Sequence, residues 1–175
     1  DTVATDALWQ QYQQDGQQYQ SDASQTESQP VVLDTFDGSI NEQNFSVRFA
    51  AQVDAWAARV ESLDTGGLSR LFLLNSAMQL NGSELVLVVA QSQQHLDSAA
   101  FRTTLQQVLQ RSFNQPLSIN IRYQDEVAQS PLAIQQKIVQ ERFGYVSRLL
   151  QQDENVLRLQ QLFDAELLTD SIVVN

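Results

Sequence analysis

The sequence holds no cysteine, one histidine (His95), one lysine (Lys137) and three prolines among 175 residues. Without cysteine there are no disulfides and no thiolate-bound metal, which fits a reducing compartment. With one histidine, any metal or acid–base site would have to be completed by carboxylates around His95, and no metal site or cofactor is expected. The G-x-x-x-x-G-K-[ST] pattern of a phosphate-binding loop and the G-x-S-x-G pattern of a nucleophile elbow are both missing. No apolar run reaches the roughly 18 residues of a membrane span, and the first residues lack the basic-then-apolar order of a signal peptide. Positive charge is scarce as well. Ten Lys and Arg against 21 Asp and Glu leave a net charge of −11, which repels a phosphate backbone. The arginines are scattered singly, with no basic stripe for a nucleic acid to follow.

What is present falls into three zones. Residues 1–36 are rich in Gln, Ser, Asp and Thr and predict a flexible linker, with Trp9 and Tyr12 as candidates for a short docking helix. Residues 37–152 carry the periodicities of a globular domain. Ser39 to Glu42 has the form of a capping box, and Phe49, Val53, Trp56, Val60 and Leu63 follow at helical steps. Gly66-Gly67 is expected to end that helix, and Leu68, Leu71, Phe72 and Leu74 suit a second. Asn81-Gly82 predicts a type I′ hairpin turn, followed by the continuous apolar run Leu85–Val89 of a covered strand. A third helix starts at Ser92 or Asp97 and stops at Asn114-Gln-Pro116; alternation of Leu117, Ile119 and Ile121 with polar residues predicts a strand. Ser130-Pro131 opens a last long helix with Ile134, Ile138, Val139, Phe143, Val146, Leu149 and Leu150 on its inner face. The sum is an α+β fold: a small three-stranded sheet with a hairpin, covered by about four helices.

The third zone, residues 153–175, reads as a C-terminal peptide-like tail. Asp153-Glu154-Asn155 interrupts the helical pattern, after which Val156, Leu159, Leu162, Phe163 and Leu167 recur at helical spacing and Ile172 begins an extended end. Either this helix folds back onto the domain or its stripe enters a groove on a partner, with Asp164, Glu166 and Asp170 steering it to a basic rim. The pairs Asp125-Glu126 and Asp153-Glu154 are neighbours in sequence, so their side chains diverge; they read as solvated charges rather than an acid–base pair.

The segment from Ser130-Pro131-Leu132 to Phe163-Asp-Ala-Glu-Leu167 resembles the C-terminal end of the tau subunit of bacterial DNA polymerase III. Residues 92–109 and Trp56 fit the same domain, and the likeness runs over residues 43–175. The resemblance implies a non-catalytic tethering domain that binds the polymerase alpha subunit through its tail, coupling polymerase to clamp loader at the replisome. It implies ATPase modules outside this chain and a helicase contact in the region preceding the domain. The matched positions imply partner-binding roles for Val156, Leu159, Leu162, Phe163, Asp164, Glu166, Leu167 and Ile172. A small nucleic-acid-binding α+β domain is the alternative, and the charge weighs against it.

Overall fold

The computed structural model of the chain describes residues 36–175. The expected linker, with Trp9 and Tyr12, lies outside the described residues except for Phe36, which packs on a small cluster of Ile40, Val47 and Ile138. The predicted capping box does not open a helix. Asp37 instead accepts from the N–H and the hydroxyl of Ser39 at 3.0 and 2.6 Å. Asn41 in turn accepts from the N–H groups of Gln43 and Asn44 at 2.9 and 3.3 Å. These short side chains bond their own backbone, which favours turns over helix.

The helix expected from Phe49 to Leu63 is broken. A 3-10 turn, Ala50–Gln52, precedes helix α1, Ala55–Ser62. The break is made by Asp54, extended in backbone, whose carboxylate caps α1 by accepting from the Ala57 N–H at 2.7 Å. Trp56, Val60 and Leu63 are buried as expected, but Phe49 lies beyond the break and is 61% exposed. Gly66-Gly67 begins the second helix rather than ending the first: Gly66 is the N-cap of α2, Gly67–Leu74. Phe72 and Leu73 are its buried residues; Leu68 and Leu71 face outward.

Strands β1 (Ser76–Asn81) and β2 (Glu84–Ala90) pair antiparallel, with Asn81 opposite Glu84. The loop is therefore Gly82-Ser83. Only Gly82 has positive φ, +63°, the pattern of a type II′ turn in place of the expected I′. Helix α3 (Ala99–Phe113) starts at the Ser98 cap, ends on left-handed Asn114, and buries Leu105 and Leu109 completely. It leads into β3 (Ser118–Gln124), parallel to β2, so the sheet order is β1-β2-β3. The continuous apolar run thus occupies the central strand, with Leu85, Val86, Leu87 and Val89 all buried. Leu85, Leu87 and Val89, on one face, join Trp56, Val60, Phe72, Leu105 and Leu109 in the main core. Trp56 Nε1 donates to the Ser76 carbonyl at 3.0 Å, which satisfies its one polar atom inside that core.

Helix α4 (Pro131–Gln152) begins as the sequence predicts, with Ser130 Oγ accepting from the Ala133 N–H at 3.2 Å and Pro131 in the first turn. Its inner face is different. Ile138 and Arg142 are buried, whereas Val139, Phe143 and Leu149 are exposed. Arg142 takes the apolar position because its guanidinium stacks 4.2 Å from the centre of the Phe45 ring and donates to the carbonyls of Phe45 and Val47. The fold is α+β, a mixed three-stranded sheet with five α-helices among the described residues.

Candidate functional site

The tail forms a helix of its own, α5, Glu154–Phe163. Asp153 separates it from α4: its backbone is extended, and its carboxylate accepts from the N–H groups of Asn155 and Val156 at 2.8 and 3.1 Å. One residue thus ends α4 and caps α5. Glu154 in the first turn adds a charge that suits the positive end of the helix. At the other end Asp164 adopts the left-handed conformation, φ +48°, and the Ala165 N–H donates back to the Gln160 carbonyl at 3.1 Å. Beyond it lies a 3-10 turn, Thr169–Ser171, flanked by extended Leu168 and Ile172.

None of the residues of α5 is buried. Leu159, Leu162 and Phe163 are 54, 75 and 73% exposed; Val156 is half-buried. Val156, Leu159 and Phe163 lie along one side of the helix at steps of three and four, with Leu162 at its margin. Leu167 does not join them. The helix stops at Phe163, so the i, i+4 relation between Phe163 and Leu167 that the sequence predicts is not formed. Leu167 and Ile172 are half-buried, and Asp164, Glu166 and Asp170 are exposed. Asp153, Glu154, Asp164, Glu166 and Asp170 face only Arg158 as a positive charge within the tail. An amphipathic helix with an uncovered apolar side and acidic flanks can enter a groove; burying each large apolar side chain there contributes on the order of 1.5–3 kcal/mol. Leu157, 42% exposed, and Leu168, 71% exposed, are further apolar residues that periodicity had not singled out.

Elsewhere the chemistry is structural. His95 is exposed in the 3-10 turn Gln91–Leu96, with Nδ1 2.8 Å from the Ser92 carbonyl oxygen. Asp97 receives Arg102 Nε and Nη2 at 2.6 and 2.7 Å and the Tyr123 hydroxyl at 2.7 Å, tying the start of α3 to β3. The Arg102 hydrogen bond holds the Asp97 carboxyl below its ordinary pKa, while burial, then Asp97 itself, pushes the Tyr123 phenol up. Among the described residues no group of three or more His, Asp or Glu is placed to hold a metal ion, and no helix is long and apolar enough to cross a membrane.

Residues 39–172 match the family described as "DNA polymerase III tau subunit V interacting with alpha". The chain is similar to the DNA polymerase III tau subunit of Salmonella typhimurium, 31% identical over 124 residues, and to that of Escherichia coli, 28% identical over 124 residues. Each match takes in 70% of this chain and 19% of the relative's length.

Proposed function

Because the chain belongs to the family of DNA polymerase III tau-subunit domains that interact with alpha, we propose that it binds the polymerase alpha subunit through the exposed side of α5. It is an interaction domain and not a catalytic one. The observation that carries the reading is the capped, amphipathic helix whose Leu159, Leu162 and Phe163 nothing among the described residues covers. Val156, Leu159, Leu162 and Phe163 supply the apolar anchor, Leu167 and Ile172 extend it, and Asp164 and Glu166 meet the rim of the receiving groove. Residues 37–152 act as the platform and 153–175 as the binding element. In the longer protein this contact would couple the polymerase to the clamp loader, in the bacterial cytoplasm at the replisome. The helicase contact falls to the region before the platform, outside the described residues.

The test is a calorimetric titration of purified alpha with the intact chain and with a chain stopped at Gln152. The intact chain should bind, the shortened one should not, and their melting temperatures should agree closely. Equal binding by both would move the contact onto the platform. A large loss of melting temperature would make the tail part of the fold.

A further inference from the structure

The sheet ends on β1 at one side and β3 at the other, and β1 is the edge left open. Its sequence, Ser76 to Asn81, has no charged residue and no proline, the usual means by which an edge strand is kept from pairing. β3 carries Arg122. The Ala90 N–H donates to the Asn75 carbonyl at 3.0 Å, and the register of β1 on β2 then turns the backbone groups of Ala77, Gln79 and Asn81 toward β2. Those of Ser76, Met78 and Leu80 point away from the sheet. The Ser76 carbonyl is already engaged, accepting from Trp56 Nε1 at 3.0 Å. Among the described residues the N–H and C=O groups of Met78 and Leu80 have no hydrogen-bond partner. Exposure rises along the strand from buried Ser76 to Leu80 at 40%, so the open part of the edge also presents apolar surface.

Such an edge accepts another extended strand, and a second β1 fits it. We propose that β1 pairs antiparallel with β1 of a second copy of this chain, joining the two sheets into one through Met78 and Leu80. Outward groups must meet outward groups, and this selects the register. Centred on Met78, the pairing would need Ser76, which Trp56 holds; centred on Leu80, it would run Met78 against the turn at Gly82. Centred on Gln79, it sets Met78 of each copy opposite Leu80 of the other, and both residues use N–H and C=O. Leu80 then packs beside the partner's Met78 on the core side of the sheet. The two Gln79 amides, each a donor and an acceptor, meet across the two-fold on the other face. A neutral strand is the place for this contact in a chain of net charge −11, whose copies repel elsewhere. The contact is small beside a standard protein interface, so the pair is short-lived. On the reading of α5 above, a pair would hold two alpha subunits; the pairing itself does not depend on that reading.

A chain without cysteine lets a short-lived pair be trapped with one substitution. Gln79→Cys, at an exposed position, sets a thiol on the two-fold. Opposed Cα atoms of a non-hydrogen-bonded pair lie about 4.5 Å apart, within the roughly 4.4–6.8 Å that a disulfide spans. Under mild oxidation this variant should form a disulfide-linked dimer at least about tenfold faster than Asn120→Cys, exposed on β3, because pairing raises the local thiol concentration. Adding Leu80→Pro removes the outward N–H, spares the bonds between β1 and β2, and should lower the rate to that of Asn120→Cys. An unchanged melting temperature shows that the hairpin is kept; if it falls, Leu80→Lys, which charges the edge, makes the same test. No polymerase enters the experiment, so its failure leaves the reading of α5 standing. Equal rates for Gln79→Cys and Asn120→Cys, a faster rate for Asn120→Cys, or trapping that survives the change at Leu80 would overturn the proposal.

Discussion

Phe163 is the last residue of α5 and 73% exposed, the one aromatic side chain of residues 153–175. Interface energy concentrates in a few desolvated anchors, with aromatics over-represented, so Phe163→Ala should weaken alpha binding by about 2–4 kcal/mol, roughly thirty-fold to a thousand-fold. Calorimetry reads that loss, and an unchanged melting curve shows that the side chain contributes nothing to the free fold. Asp170, an exposed charge beyond the helix, should cost under about 1 kcal/mol when replaced by Ala. Asp97 acts on stability instead. Its carboxyl is held below the ordinary pKa by Arg102, so its folded-state value lies under its unfolded one. The stabilisation is therefore present above the ordinary carboxylate pKa and is lost as pH falls through the folded value. Asp97→Asn should destabilise by about 1–2 kcal/mol at neutral pH, the low end for charged hydrogen bonds because Arg102 is half exposed. Melts at pH 7 and near pH 3 should show the gap between parent and variant closing at the acid end; a constant gap would mean the carboxylate charge is not what Arg102 and Tyr123 hold.

At the scale of elements, everything distinctive about the tail begins at Asp153. A helix as short as α5 is marginal on its own, and no residue of it is buried to support it. Asp153→Ala removes the cap and should cost about 0.5–2 kcal/mol of helix stability, seen as faster amide exchange across α5 and a matching loss of alpha affinity. Asp153→Asn, which keeps the cap but not the charge, should retain most of both; equal damage from the two would point to charge instead. The break at Asp153 was legible because Asp-Glu-Asn stands out against a helical pattern, and the same locality made the hairpin and the Ser130-Pro131 start legible. Less local features were not. Whether an Asp caps a new helix or rides on a continuing one depends on a single backbone angle, so the break at Asp54 and the stop at Asp164 were missed, and Leu167 with it. Arg142 was hidden for a different reason: its burial depends on Phe45 and on the carbonyls of Phe45 and Val47, far away in sequence. Periodicity sorts apolar from polar residues and so set Val139 and Phe143 inward, where the structure has Arg142. The exposure of Val139 and Phe143 had no sequence signal.

For the whole molecule the dominant fact is charge. Of the net −11, residues 1–36 carry −6, the platform −1 and the tail −4, where Asp153, Glu154, Asp164, Glu166 and Asp170 flank an apolar stripe with only Arg158 opposing them. Such a segment is repelled by nucleic acid and drawn to a groove with a basic rim. Exposed charges act on encounter more than on the final contacts, because solvent screens them once groups are a Debye length apart. Raising ionic strength from about 0.01 M to about 0.15 M shortens that length from roughly 30 Å to 8 Å. Association of the chain with alpha should then slow by about tenfold, whereas dissociation, which the proposed anchors Leu159, Leu162 and Phe163 would govern, should change far less. Stopped-flow mixing across a salt series separates the two rates. If salt moved only the dissociation rate, the acidic flanks would be in direct ion pairs inside the interface, and the groove's positive charge would lie among the anchors and not around them.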